Sequence, residues 1–516
     1  MRRLLLLLVS FVVVWPLAAQ QKDALRQLQK FVAAYRYLDS FYVDSTDMKG
    51  AIEGAIEGML STLDPHSAYV SADEMKQVEV ELEGGFSGIG IQFAVQRDTV
   101  VIDAVIAGGP AERVGMLPGD RIVQIDTLRA VGFKQSDVPK YLRGKQGTKV
   151  AVDVVRRGVG DRLHFVMVRD KIPVTTVDAA YMVDPEVGYI KINRFGRTTM
   201  TEFREAWQKL RRPKKLVLDL RGNGGGLMDQ AIELAGFFLP RGSLLLSTEG
   251  RAIPSSHYSA QVNGENLDGR VAVVIDDASA SASEIVAGAL QDWDRATIVG
   301  RTSFGKGLVQ RQVPLGDGSA VRITVARYHT PSGRVIQRPY ERGKRREYYL
   351  EHLRGYADSV ADDAPTYRTL RLERTVYGGG GIRPDLLVES DTTGYSPYYG
   401  KLVRRGVMHE VIADYMDGER EQLTATYPTF EQFEAAFRPS DALLEQLVVK
   451  AEAAGIARNE AEFAQSRQWI ERQLRALVAQ RLFGVEGFYR AINPSVEAVC
   501  KAVEVVKGSD PLRENR

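Results

Sequence analysis

The sequence predicts a multidomain α/β protein, and three observations carry that reading. Between about residues 171 and 392, short apolar runs alternate with helical patterns, at 187–192, 199–210, 216–220 and 271–275. That alternation is the pattern of an α/β sheet. Ahead of it, residues 82–170 hold short strand-like runs punctuated by glycine, a mostly-β unit. On either side, residues 22–80 and 400–516 read as helical. A chain of 516 residues has room for about three domains with real cores.

Taken in order, Met1-Arg-Arg followed by the apolar stretch 4–14 and Pro16-Leu-Ala-Ala19 predicts a signal peptide over residues 1–19. The run is shorter than the roughly 18–20 apolar residues of a spanning helix. An uncleaved anchor, with inner-membrane association, is the alternative. Leu25, Leu28, Phe31, Val32, Tyr35 and Leu38 recur at helical steps, and a second helix is expected over 48–63. Asp64-Pro65-His66-Ser67 then reads as a turn, with His66 an ordinary turn residue. Gly84–Phe93 and Gly109–Asp120 resemble motifs of a PDZ domain, which implies a strand over 121–125 and a helix over 134–142, with Val138, Tyr141 and Leu142 facing a groove. In the α/β region, strands are expected over 296–300 and 320–328. Residues 342–374 are charged and poorly periodic, which suggests an exposed insertion. From residue 400 the chain is helical and charge-rich, for example over 442–454 and 460–482. That tail suits docking of an adaptor or of a second copy, with a plain solvated helical cap as the alternative.

The chemistry concentrates at Ser279-Ala-Ser-Ala-Ser-Glu284 and Gly305-Lys-Gly-Leu-Val-Gln310. The first follows a buried-strand run and opens a helix, where N–H groups and the helix dipole favour developing negative charge. Ser281-x-x-Glu284 also fits a capping box, in which the serine only satisfies backbone donors. Lys306 alone would be a solvated charge, but its flanks are apolar or glycine. A free lysine has a pKa near 10.4, so about one in 2,500 is neutral at pH 7. Bringing that value near 7 needs roughly 4–5 kcal/mol, which burial can supply. If 306–310 runs as a strand, Lys306 and Gln310 share a face, and a neutral glutamine can hold the amine. Only six histidines occur, none between His257 and His329. Arg221-Gly-Asn-Gly-Gly-Gly226 follows a buried strand and precedes a helical run, so its N–H groups suit an oxyanion. No Gly-Lys-Ser/Thr follows, which argues against a phosphate loop.

These segments, with Gln291-Asp292, Arg295-Ala296, Val299-Gly300 and Gly378-Gly-Gly-Gly-Ile-Arg-Pro-Asp385, resemble the C-terminal processing, or tail-specific, serine proteases over about residues 30–390. The resemblance implies a crotonase/ClpP-like α/β protease core over 171–392. It places the nucleophile on Ser281, the base on Lys306 and its orienting glutamine on Gln310. The oxyanion hole falls on Ala282 and a glycine of 224–226, taken as Gly225. Residues 82–170 resemble an inserted PDZ domain, on Gly84-Gly-Phe-Ser-Gly-Ile-Gly-Ile-Gln-Phe93 and Gly109-Pro-Ala-Glu-Arg-Val-Gly-Met-Leu-Pro-Gly-Asp120. Gly88, Ile89, Gly90 and Ile91 would hold a peptide's terminal carboxylate while its last residues add a strand to the sheet. The expected substrates are proteins or peptides with free apolar C-termini, and no metal or other cofactor is implied. Two rivals stand beside this: a catalytically silent peptide-binding scaffold, and a crotonase-like acyl-thioester enzyme.

Composition fits export and argues against nucleic acid. The 68 basic and 66 acidic residues leave a net charge of +2, so no polyanion partner is implied. Cys500 is the single cysteine, which excludes a disulfide framework and a lipoprotein cysteine after the signal. Both point to a bacterial periplasm or cell envelope.

Overall fold

The computed structural model describes residues 23–353 and 364–508, apart from 84, 97 and 107. The predicted signal over 1–19, the first glycine of the PDZ-like motif and part of the charged insertion lie outside the described residues. The central element is a six-stranded sheet ordered Val177–Met182, Val187–Ile192, Lys215–Asp219, Arg270–Ile275, Thr297–Gly300, Leu386–Leu387. The first pair is antiparallel and every later neighbour is parallel. Val187–Ile192 is buried along its whole length, as expected of a strand covered on both faces.

Helices Thr199–Lys209, Met228–Gly236 and Ala282–Asp292 cover one face, around Phe203, Leu218, Leu234, Val273 and Val286. The other face is covered from far away in sequence. Val499, Ala502 and Val506 of helix Glu497–Lys507 pack on Ala179, Tyr189, Val217, Ala272 and Val274. The tail is therefore not a solvated cap at this point. Its last helix completes the central layer, because its apolar face matches the sheet's second apolar face. Upstream, Asp441–Ala453 and Glu460–Ile492 build a separate core, and Glu460–Ile492 bends at Gly484, where φ is 72°.

A second sheet carries Ala68–Val70, Leu244–Glu249 and Leu308–Pro314 around the long strand Ala320–His329. The β-rich unit is a six-stranded antiparallel sheet with Ile91–Gln96 at one edge. It leans on the helical tail through the ion pairs Arg121–Asp417 (2.7 Å) and Arg481–Asp103 (3.0 Å). Strand Arg121–Ile125 has the expected bounds, but the groove helix is shorter than predicted, Val138–Leu142. Residues 134–137 form a turn closed by the Asp137 carboxylate accepting from Lys134 N–H, and Pro139 sits in the helix's first turn. The stretch 342–374 is also not merely an exposed insertion. Helix Arg345–Leu353 buries Tyr348, and Arg374 pairs with Asp294 and Asp385. The helix at 23–41 forms as its periodicity predicts, yet Leu25, Leu28, Leu38 and Phe41 remain exposed.

Candidate active site

Strand Arg270–Ile275 delivers the chain to a tight turn ahead of helix Ala282–Asp292. Ser281 sits at that turn with φ 56° and ψ −109°. An ordinary N-cap lies in the β region, and a positive φ in a residue with a side chain carries strain that clusters at functional sites. The capping box is present, with Ser281 N–H donating to Glu284 Oε2 at 2.7 Å, so capping and a strained, half-buried serine coexist. Of the three serines in the run, the outer two are fully buried and committed. Ser279 Oγ donates to Leu220 O at 2.8 Å, and Ser283 Oγ donates to Asn223 O at 2.8 Å. Ser281 alone of the three keeps solvent access.

Lys306 lies in the loop just before strand Leu308–Pro314, not on the strand, and the ladder slips between Val309 and Gln310. Regular alternation is therefore not what pairs the two side chains. The bulge turns Gln310 so that its Oε1 accepts from Lys306 Nζ at 2.9 Å. Burial, helped by the Arg322 guanidinium, pushes the amine below the ordinary lysine value, while Glu284 and Asp64 oppose the shift. Gly305, at φ 84°, needs to be glycine, since a Cβ there would meet Arg338 Cβ and Gly381 N at 3.1 Å.

One carboxylate joins the two loops. Glu284 is fully buried and accepts from Ser281 N–H (2.7 Å), Ser303 Oγ (2.5 Å), Gly305 N–H (2.7 Å) and Lys306 N–H (3.0 Å). Burial raises its pKa, and those four donors counter the rise. Tyr328 adds a second brace, its hydroxyl donating to Lys306 O at 2.9 Å and to Ser281 O at 3.3 Å. Sequence reasoning treated Glu284 as a capping residue and passed over Tyr328. The signal available was the i+3 carboxylate, but its reach to residue 305 is invisible in one dimension.

The glycine loop is anchored by a buried polar group at the end of strand Lys215–Asp219. The Asp219 carboxylate accepts from Arg221 N–H (2.9 Å) and Tyr189 Oη (2.6 Å) and pairs with the Arg221 guanidinium (2.5 Å) and Lys191 (3.6 Å), and these two cations hold it well below the carboxylate range despite its burial. Gly225, at φ 102°, lies against the Ser281 turn: a Cβ there would meet Ser281 Cβ at 2.8 Å and Ala282 N at 3.0 Å. Its N–H, however, is already given to Asn223 Oδ1 at 2.9 Å. That commitment tells against Gly225 as the oxyanion donor in this arrangement. The N–H groups of Gly224, Gly226 and Ala282 have no acceptor among the described residues. Asn223 O also receives Ala280 N–H at 2.9 Å, so this residue shapes both loops.

In the β-rich unit, Gly88 ends strand Gly85–Gly88 and Ile89 is buried in the unit's core. Ile89 O and Gly90 O accept from Ala111 and Ile106, while the N–H groups of Ile89 and Gly90 have no acceptor among the described residues. Ile91 begins the edge strand Ile91–Gln96. That edge is partly occupied: Gln135 Oε1 accepts from Val95 N–H at 3.0 Å, and its Nε2 donates to Phe93 O at 3.3 Å. His66, expected to be an ordinary turn residue, is instead buried, with Tyr348 edge-on at 5.3 Å. No group of three or more His, Cys, Asp or Glu among the described residues is placed to hold a metal ion.

Comparison with known proteins follows the same divisions. Residues 186–341 match peptidase family S41, 87–179 a PDZ domain, 16–74 the activating protease CtpB N-terminal domain, and 398–484 a family of unknown function. A carboxy-terminal-processing protease of Bartonella bacilliformis is 38% identical over 324 residues, 61% of this chain and 74% of that protein. The carboxy-terminal processing protease CtpA of Bacillus subtilis is 35% identical over 347 residues, 67% of this chain and 71% of that protein. A solved photosystem II D1 C-terminal processing protease is 26% identical, with a TM-score of 0.36 over 70% of this chain and 93% of that one.

Proposed function

This chain belongs to the carboxy-terminal processing proteases, serine peptidases of family S41 with a PDZ domain, and we propose that it cuts polypeptides with Ser281 as nucleophile and Lys306 as general base. The observation that carries the reading is the Lys306 amine: half-buried, lowered in pKa, held by Gln310 at 2.9 Å, and on a loop tied to the Ser281 turn through Glu284. A neutral amine can take the Ser281 hydroxyl proton as Oγ bonds to the scissile carbonyl carbon. The oxyanion that forms is received by the Ala282 N–H and by an N–H of the 224–226 loop. Gly224 and Gly226 are the available second donors, unless Asn223 releases Gly225. The protonated lysine then gives its proton to the leaving amine as the C–N bond breaks, leaving an ester on Ser281. Water, deprotonated by Lys306, then adds to the ester carbonyl, and the lysine returns that proton to Ser281 Oγ as the C–Oγ bond breaks, releasing the new C-terminus.

A silent scaffold is disfavoured by family membership and by the intact serine and lysine. Ser281→Ala should abolish peptide cleavage while the fold persists, costing at most about 1 kcal/mol for the lost cap. Wild-type turnover in that variant would sink the assignment.

We place tail recognition at the loop around Gly88–Ile91, supported by the unpaired Ile89 and Gly90 N–H groups beside an edge strand. A carboxylate can accept there, whereas an amide cap cannot do so as strongly. Tethering raises the local concentration of upstream residues at Ser281. The intact enzyme should therefore cleave a peptide with a free C-terminus faster than its amidated twin, and equal rates would refute the role. The leader predicted from the sequence over 1–19 would support export to a bacterial periplasm or envelope.

A further inference from the structure

The Gln310 amide has two ends, and which end faces Lys306 decides whether the amine is held or repelled. Its Oε1 accepts from Lys306 Nζ at 2.9 Å, and its Nε2 donates to the backbone carbonyl of His66 at 2.6 Å. A carbonyl can only accept, so the His66 oxygen fixes Nε2 outward and leaves the acceptor end for the lysine. That carbonyl belongs to a stiff turn. Asp64 Oδ1 accepts from His66 N–H (2.9 Å) and Ser67 N–H (3.0 Å), and Asp64 Oδ2 accepts from Ser67 Oγ (2.6 Å).

The turn is bolted to the lysine hairpin at the level where it acts. Thr324 is the cross-strand partner of Gln310. Its Oγ1 donates to Asp64 Oδ1 at 3.0 Å, and its N–H donates to Ser67 Oγ at 3.2 Å. Directly after the turn, Ala68–Val70 pairs with Ala320–His329, Ala68 opposite Arg322. The His66 ring lies beside Tyr348 at 5.3 Å and Phe304 at 6.1 Å, with its Nε2 unpartnered among the described residues. It forms a dry wall near the amine, a role an exposed turn residue would not have.

We infer that the Asp64–Ser67 turn is a positioning element for the general base, acting through the His66 carbonyl on Gln310. The inference rests on Lys306 being that base. The charged groups that act on Lys306 are Arg322, Glu284 and Asp64, and His66 is coupled to it, pushed down to about 4 by burial and then by the lysine's charge. His66 is accordingly neutral through the working range, and titration of its ring plays no part.

The test uses full-length Asp64→Ala, Asp64→Asn, Gln310→Ala and the Asp64→Ala/Gln310→Ala double variant, with peptide kinetics from pH 5 to 10 and thermal melts of each. Asp64→Ala should lower kcat at least tenfold with KM little changed. Asp64→Asn, which can still close the turn, should recover most of that loss. Its rate should begin to rise at lower pH than in wild type, because an anion that raises the lysine pKa is gone. The double variant should be no slower than Gln310→Ala alone, since both changes break one chain of contacts. A folded Asp64→Ala enzyme with wild-type kcat overturns the inference, as does a double variant whose losses multiply. If Asp64→Ala does not fold, Thr324→Val, which cuts the turn from the lysine hairpin, takes its place, and a folded Thr324→Val enzyme with wild-type kcat refutes. Lys306→Ala separates the two ideas: activity in that variant removes the base assignment itself, whereas an inactive Lys306→Ala beside a fully active Asp64→Ala removes only the positioning role.

Discussion

A lysine taken out of water holds its proton less tightly, and Lys306 works against stability for that reason. Lys306→Arg should be nearly as inactive as Lys306→Ala, since a guanidinium stays charged and cannot accept the serine proton. Lys306→Met should also be inactive, yet melt at a higher temperature than wild type at pH 7. The sign follows from linkage: with the folded pKa below the unfolded one, the unfolded chain binds more protons between the two values. Wild-type stability therefore rises with pH across that window, and the gap to the methionine variant should close as pH approaches about 10.4. A gap that widens would exclude a depressed lysine. At Glu284, four donors converge on one buried carboxylate. Glu284→Gln puts an NH₂ against some of them and should cost about 1–3 kcal/mol of stability together with most of the activity. Full activity in a folded Glu284→Gln enzyme would show that the link between the loops is dispensable.

At the scale of elements, the edge strand Ile91–Gln96 is where a peptide tail would add, and the Gln135 side chain already imitates part of a partner strand there. A docking tail must displace it, exchanging bonds worth about 0.5–1.5 kcal/mol each. Gln135→Ala should therefore bind free and amidated C-terminal peptides several-fold more tightly by a similar factor, measured by fluorescence anisotropy. No gain for either would mean that strand addition at this edge does not occur. The bulge at Val309/Gln310 is the other element that matters, because it replaces regular alternation with a turn of one side chain toward the lysine loop.

For the whole molecule, the central sheet is closed by a helix more than two hundred residues downstream of the strand it covers. Ala502 is fully buried against that sheet face. Ala502→Arg should cost about 2 kcal/mol or more, through overpacking and an unpaired buried charge, and truncation after residue 496 should leave protein that fails to melt cooperatively. Unchanged melting in either variant would return the tail to the status of an appendage. The PDZ domain rests on the same C-terminal region through Arg121–Asp417 and Arg481–Asp103, so the covering helices and the PDZ domain form one connected frame.

Much of this was legible in the chain itself. Hydrophobic patterns located Val187–Ile192 at its observed bounds and most other core elements within a few residues, because local hydrophobic spacing is a property of neighbours in sequence, and the PDZ motif resemblance located Arg121–Ile125. The motif resemblance singled out Ser281, Lys306 and Gln310, and the Lys306–Gln310 contact exists. What tertiary structure alone decided are relations between distant segments: the Glu284 carboxylate joining two loops, the Asp64–Ser67 turn gripping Gln310, the Gly225 N–H turned to Asn223, and the last helix roofing the sheet. Hydrogen-bond direction and burial depend on which groups meet after folding, and spacing along a chain carries no record of those meetings.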